Sequence, residues 1–513
     1  MYSPIHLPRQ LGIIDLGSNS ARLMVAHYAP GQAFKITDEV SRRVRLSEGM
    51  AADNHLHPAA IKRALETLRM FRAFCAASGI KRIVPVATAA VRDAANQAEF
   101  LEKVLTQTGL RFRVLSGEEE ARLGAVGVIN SLGLREGLVM DVGGGSAEVS
   151  VVSGGRFRRG LTVPLGAVRL TELYLGGNPV KSVDMTRLTD HLDTSFDLLE
   201  WMTLGDTGQF VGVGGTARAL ARIDREQRGY PLGLTHGYEL ELSRLEKLID
   251  RSRGLTVNEC TRKIPGLQAD RADIILAGAM VIARAMRRAR AKQLVVCGQG
   301  LREGLLYQEF LDHADPPVLR DLREFSVLNL CRLYGYAKAH VDHVTRLSLA
   351  LFDQLQKQHG YGEWERGLLW AAAHLHDIGT VVDYYDHHKH SAYIILNSGL
   401  PGYTHREIVL IALLCQYHRK GQPSLETYGE VCERGDAERV MKLASLLRLA
   451  EYLDRSRAQT VTGLTVNIIN RQRARLRVHT RAKDDAHVEI WEAQRNADLF
   501  EEAFGRSLEI MHD

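Results

Sequence analysis

Three consecutive glycines set inside an apolar stretch constrain the fold of this chain more than any other feature. Residues 138–142 form a short apolar run with β-branched members, which reads as a buried strand. The run breaks at Gly143, Gly144 and Gly145, and strand character resumes over residues 147–152. Two strands joined by glycines make a tight hairpin whose backbone N–H groups no side chain screens. Such a turn can close on a phosphate, because glycine tolerates positive φ and close approach. Asp141 stands at the lip of the turn and Glu148 on the returning strand, a pair able to hold a hard cation through carboxylate oxygens. Taken alone, a plain hairpin with two solvated acids would look the same. No helix follows the glycines, which argues against a dinucleotide-binding turn.

The design recurs. Leu11-Gly-Ile-Ile-Asp-Leu-Gly-Ser-Asn-Ser20 is again an apolar strand, an acid (Asp15), a turn containing Gly17, Ser18 and Asn19, and a second strand over residues 22–28. Phe210-Val-Gly-Val-Gly-Gly-Thr216 and Leu294-Val-Val-Cys-Gly298 are further apolar strands that end in glycine. An internal echo of this kind predicts two related halves facing one cleft, each contributing a phosphate-binding hairpin. The turn at Gly214, Gly215 and Thr216 runs into a helix, whose N-terminus can receive a further phosphate.

A chain of 513 residues has room for several domains with sizeable cores. Its hydrophobic content of 45% and charged content of 25% are those of an ordinary globular protein, and the net charge of +5 favours an anionic substrate without specifying one. Six scattered cysteines without close pairs, no apolar signal core and no membrane-spanning run predict a reduced, cytoplasmic setting.

In order along the chain, the pattern predicts a strand over 34–40, a helix from His57-Pro58 towards Ser78 stopped by Gly79, and a strand over 83–88. A helix follows through residue 106, then a strand over 112–115. Ser116-Gly-Glu-Glu-Glu-Ala-Arg122 has a serine N-cap with acids in the first helical turn. Two of these acids need no role beyond the helix start. One of the three, held in an anion-lined cleft, would serve as a general base, and Arg92 is the natural cation for a bound phosphoryl group. The second half runs to Gly300-Leu-Arg-Glu-Gly304.

Beyond residue 319 long helical patterns rich in histidine take over: Ala339-His-Val-Asp-His343, His374-Leu-His-Asp377, His387-His-Lys-His390, then His405, His418 and Leu449-Ala-Glu-Tyr-Leu-Asp454. Imidazole and carboxylate on a helical scaffold can hold one or two metals, or line a polar seam that touches phosphate directly. From residue 461 three alternating stretches read as antiparallel strands, the last at His487-Val-Glu-Ile-Trp, followed by a short helix over 496–504. Arg471, Arg473, Arg475, Arg477, Arg481 and Lys483 crowd this unit, and alternate arginines on one strand face could track a linear polyanion.

The segments Asp15-Leu-Gly-Ser-Asn-Ser20, Ala87-Thr-Ala-Ala-Val-Arg92, Ser116-Gly-Glu-Glu-Glu-Ala-Arg122, Asp141-Val-Gly-Gly-Gly-Ser-Ala-Glu148, Val211-Gly-Val-Gly-Gly-Thr216, Gly300-Leu-Arg-Glu-Gly304 and His388-Lys-His-Ser391, in this order, resemble the exopolyphosphatase/guanosine pentaphosphatase (Ppx/GppA) family in its long form. The resemblance implies an α/β fold of two actin/sugar-kinase/Hsp70-like (ribonuclease H-like) domains over 1–130 and 131–310. An all-α HD-like domain over 319–458 and a small α+β domain over 459–513 follow. It implies Mg²⁺-dependent removal of the terminal phosphate of inorganic polyphosphate, with the 5′-phosphate of pppGpp as the alternative. Glu120 would align water, Arg92 meet the terminal phosphate, and Asp141 and Glu148 serve the metal and the water. Gly17, Ser18, Asn19 and Ser20 with Gly143, Gly144, Gly145 and Ser146 would form the two phosphate hairpins. A homodimer is expected, with no nucleic-acid partner. Ala89 stands where the family often has serine, and the HD-like set His343, His376, Asp377 and Asp454 is complete, a candidate second metal site. Two other classes share the fold, a nucleotide-dependent kinase or ATPase and a non-catalytic polyphosphate sensor.

Overall fold

The computed structural model describes residues 4–481 and 486–513. The chain divides into two compact units, one holding His6–Tyr230 and Leu234–Leu322, the other built on Arg323–Asp513.

The first unit is organised by two sheets. Strands β1 (Arg9–Leu16), β2 (Ser20–Ala29), β3 (Ala33–Arg43), β4 (Arg82–Ala87) and the two-residue β5 (Arg113–Val114) form the first, in the order β3-β2-β1-β4-β5. Strands β6 (Glu136–Val142), β7 (Ala147–Ser153), β8 (Arg156–Val163), β9 (Gln209–Val213), β10 (Tyr238–Glu241) and β11 (Gln293–Val296) form the second, ordered β10-β11-β9-β6-β7-β8. With β6 counted as first and β11 as fifth, the second sheet repeats the 3-2-1-4-5 order of the first and adds β10 at its edge. The pairing senses repeat too: β1–β2 and β6–β7 are antiparallel, β1–β4 and β6–β9 parallel. The two-half expectation therefore holds at the level of topology.

Local chemistry explains the elements. The central strand β1 buries Leu11, Ile13, Ile14 and Leu16 on both faces, the near-continuous apolar run of a strand covered on both sides. The helix Pro58–Ala77 starts with proline at its first turn, buries Ala60, Ala64, Leu68, Phe71 and Cys75 along one stripe, and is followed by Gly79 in the left-handed region. Ser116 caps the helix Gly117–Leu132 by accepting from Glu119 N–H, and the Glu119 carboxylate accepts from Ser116 N–H in return.

The second unit is helical, chiefly Lys338–Gln354, Glu363–Leu375, His387–Ser398, His405–Tyr417 and Asp436–Tyr452, and ends in a small sheet. That sheet joins β12 (Val461–Ile468), β13 (Arg473–Thr480) and β14 (Ser507–His512). Two corrections fall here. His487-Val-Glu-Ile-Trp belongs to a helix, His487–Arg495, and the third strand is β14, which runs parallel to β13. The buried positions around that stretch are Ala486, Glu489 and Ala493, helical spacing with a glutamate among them, whereas Val488 and Trp491 face solvent. Apolar alternation was a misleading guide, because Glu489 is buried to accept from Ser456 N–H and Oγ.

On β13 the arginines do share a face opposite the buried Ala474, Leu476 and Val478. However, Arg475 pairs with Glu509 at 2.9 Å and Arg477 with Asp513 at 3.5 Å, so acids carried by β14 and the residue after it answer part of that charge. Lys483 lies outside the described residues.

Candidate active site

The hairpins between β1 and β2 and between β6 and β7 are alike residue by residue: Asp15-Leu-Gly-Ser-Asn-Ser-Ala-Arg22 against Asp141-Val-Gly-Gly-Gly-Ser-Ala-Glu148. Gly17 N–H donates to Ser20 O at 3.1 Å, and Gly143 N–H to Ser146 O at 2.9 Å, closing the same turn twice. The two turns press on each other. A Cβ on Gly144 would stand 3.0 Å from Asn19 Cβ, and one on Gly145 2.8 Å from Ser18 Oγ. Bare backbone on one side is what lets the two loops meet.

One cleft is lined by Asp15, Gly17, Ser18, Asn19, Ser20, Glu120, Asp141, Gly143, Gly144, Ser146, Glu148, Gly214, Gly215 and Thr216. Gly145 lines a smaller adjoining hollow with Ser18, Ala89 and Arg169. Arg92 reaches Glu120, its Nη1 donating to Glu120 Oε2 at 2.9 Å and to Leu115 O at 3.1 Å. The sequence-predicted residues of the first unit thus meet at one place. Two hydroxyls among them are already committed, since Ser146 Oγ donates to Glu148 Oε1 at 2.8 Å and Thr216 Oγ1 to Val142 O at 3.1 Å. Gly214, with φ of +82°, receives the Asp141 carboxylate, whose Oδ1 would lie 2.1 Å from an added Cβ.

Beyond Arg92, the cleft carries cations that the sequence motifs did not single out. In register, Asp15 faces Arg22 across β1–β2 where Asp141 faces Glu148 across β6–β7, so the echo places a guanidinium in one half and a carboxylate in the other. Aligning the two hairpins would have flagged Arg22. Arg271 also lines the cleft, and an added Cβ on Gly215 would lie 2.1 Å from its Nη2. Arg302, from the Gly300–Gly304 motif, is buried and pairs with Glu39.

Burial and mutual repulsion push the cleft carboxyls up. Burial, then the charges of Glu120 and Asp141, holds Glu148 well above the usual glutamate range. Asp15 and Asp141 are raised by burial, against the pull of Arg22. Glu120 is raised to about 7, chiefly by burial, against the opposing hydrogen bond and charge of Arg92. Arg22 is lowered by burial and by Arg302, and Arg271 is lowered to about 10, first by burial. Carboxylates that resist ionisation beside one another are a donor set short of positive charge, and hard oxygens of this kind fit a hard divalent cation at Asp141 and Glu148.

Of the residues expected in the second unit, His376 and Asp377 lie in groups able to hold a metal, whereas His343 and Asp454 stand beside them. His343 Nδ1 accepts from Arg346 Nη2 at 3.0 Å, which leaves the ring proton on Nε2 and no lone pair to offer.

Fold and cleft together define an actin/Hsp70-like two-domain core whose paired hairpins face one cleft, followed by a helical region and a small sheet. Profiles of the Ppx/GppA phosphatase family match residues 24–313, and of its domain III residues 322–496. The chain belongs to the Ppx/GppA phosphatase family. Among solved structures it is similar to a Ppx/GppA family member of Aquifex aeolicus, with 28% identity, 59% of this chain and 98% of that one covered, and a TM-score of 0.52. A further Aquifex aeolicus structure, described as a PPX-GPPA enzyme, gives 29% identity over 58% of this chain and 98% of that one, with a TM-score of 0.50. An exopolyphosphatase of Cytophaga hutchinsonii shares the fold at 23% identity over 59% of this chain and 98% of its own, with a TM-score of 0.55. Membership makes the chain a phosphoanhydride hydrolase by family. Among the described residues no helix is long and apolar enough to cross a membrane.

Proposed function

We propose that the protein is a Mg²⁺-dependent exopolyphosphatase that removes the terminal phosphate of inorganic polyphosphate. The observation carrying this reading is the pair of matched hairpins in contact, with Glu120, tied to Arg92, lining the same cleft as Asp141 and Glu148. The Ser18–Asn19 and Gly144–Gly145 turns grip the phosphate end through backbone N–H groups, and Gly214, Gly215 and Thr216 add the helix N-terminus beyond β9. Bound at Asp141 and Glu148, Mg²⁺ would offset charge on the terminal phosphoryl oxygens. Glu120 orients a water for in-line attack and takes up its proton. Arg92 keeps that carboxylate ionised and turns its guanidinium to the phosphoryl group. Arg22 and Arg271 bring further positive charge to the anionic chain.

The alternative substrate is pppGpp, whose 5′ end carries the same terminal phosphoanhydride. The partly neutralised arginines of β13 weaken the case for a long polyanion track and keep this reading open. On family likeness alone, we also take the protein as a cytoplasmic homodimer with domains at 1–130, 131–310, 319–458 and 459–513. Phosphate release from long-chain polyphosphate and from pppGpp, compared as kcat/KM, decides the substrate. A higher value for polyphosphate is expected, and a higher one for pppGpp would replace the first reading by the second. Glu120→Gln is expected to lower kcat by roughly two to four powers of ten with little change in polyphosphate binding. Near-normal turnover would remove Glu120 from the mechanism.

A further inference from the structure

The helical unit buries a seam of imidazoles that the cleft chemistry does not use. His376 and His418 are 0% exposed, His340 2%, and His387 and Asp377 3%. Burying so many polar groups is costly unless each finds a partner. One nitrogen of each ring does. His376 Nδ1 lies 2.7 Å from Ala373 O, His387 Nδ1 2.8 Å from Tyr384 O, and His418 Nδ1 2.6 Å from Cys415 O. A carbonyl only accepts, so in these rings the proton sits on Nδ1 and a neutral ring presents a lone pair at Nε2. His340 Nδ1, 2.7 Å from Asp454 Oδ2, is fixed in the same way by a carboxylate.

The four Nε2 atoms then face acceptors. Those of His387 and His418 lie 3.3 Å apart with no proton of a neutral ring between them. His387 Nε2 is 3.3 Å and His376 Nε2 3.7 Å from Asp377 Oδ1. His376 Nε2 and His340 Nε2 each lie 3.1 Å from Glu451 Oε2. Neither His376 Nε2 nor Asp377 Oδ1 makes a hydrogen bond. Arg457 Nη2 holds the other Asp377 oxygen, Oδ2, at 2.6 Å and so aims Oδ1 into the seam. Lone pairs converging on lone pairs, each ring steadied by a backbone carbonyl or carboxylate at its far nitrogen, is the arrangement a metal ion requires.

We propose that this seam is a transition-metal centre in which His340 and His376 on one side, and His387 and His418 on the other, bind divalent ions that share Asp377 as a ligand. The ligand atoms of His340, His376 and Asp377 lie within 4.8 Å of one another, as do those of Asp377, His387 and His418. Imidazole-rich sets of this kind take Mn²⁺, Fe²⁺, Co²⁺ or Zn²⁺ in preference to Mg²⁺, which demands oxygen. The centre is thereby distinct in chemistry from the carboxylate cleft, and the inference stands whether or not the exopolyphosphatase reading does.

The test strips the full-length chain with chelator, dialyses it against Mn²⁺ in excess Mg²⁺, and counts retained metal. About two Mn²⁺ per chain are expected, falling to about one in His418→Gln or His340→Gln and to none in Asp377→Asn, with Glu120→Gln unchanged. Circular dichroism establishes that each variant is folded. Should a variant fail to fold, Co²⁺ added to the unaltered chain must give the d–d absorption of nitrogen-bound metal. Retention of one ion or none by the wild-type chain, or retention indifferent to Asp377→Asn, overturns the proposal, as does a Co²⁺ spectrum of the hydrated ion.

Discussion

Glu120 and Arg92 form the pair on which the proposed chemistry turns. Arg92 opposes the burial that lifts the Glu120 carboxyl to about 7. Removing the guanidinium therefore raises that carboxyl further, and a base is lost as it protonates. Arg92→Ala is expected to move the acidic limb of the kcat/KM profile to higher pH, besides lowering its plateau. An unshifted limb would mean that Glu120 is not the titrating group. At this scale the sequence was informative about acids and poor about cations. Glu120 is told from Glu118 and Glu119 by the family resemblance, and the structure adds that Glu119 is taken up by the Ser116 cap. Arg22 is the register partner of Asp15 across β1–β2, yet nothing local distinguishes it from any strand arginine. Only the comparison of two hairpins exposes it, where its counterpart is Glu148.

Among the elements, the turn after β9 makes the sharpest demand on residue type. Gly214 combines a left-handed backbone with an Asp141 oxygen where its side chain would be. Gly214→Ala is expected to destabilise the chain by about 1–3 kcal/mol and to cut turnover, because Asp141 must move. Denaturant unfolding followed by tryptophan fluorescence, alongside phosphate release, checks this; an alanine chain with unchanged stability and rate would contradict it. Strands that end in glycine were legible, since β-branched runs and glycine turns are local signals. The helix His487–Arg495 was not, because the residue it buries is Glu489, and the hydrogen bonds from Ser456 that justify that burial are set by the tertiary fold. Likewise β14 pairs parallel to β13 across an intervening pair of helices, a partner choice no short window of sequence contains.

Across the whole molecule, the repeated 3-2-1-4-5 sheet order brings acids from two halves into one cleft, and that crowding has a thermodynamic signature. The Glu120 carboxyl is at about 7 when folded against 4.5 for an ordinary glutamate, so between these values the folded chain binds more protons than the unfolded one. Its contribution to stability is then present below pH 4.5 and lost as pH rises through 7, and the raised Glu148, Asp15 and Asp141 act in the same direction. A bound cation offsets this loss. Mg²⁺ is therefore expected to raise the unfolding temperature of chelator-treated protein more at pH 8 than at pH 5.5; an equal rise at both would argue against a carboxylate-held cation. The two-half plan was legible from the echo of one motif.

If both hairpins hold the same phosphate, a crystal structure of Glu120→Gln with a short polyphosphate will reveal it. The terminal phosphate is expected against the backbone N–H groups of the Ser18–Asn19 and Gly144–Gly145 turns, with Asp141 and Glu148 beside it. Polyphosphate ordered elsewhere, with those turns empty, would contradict it.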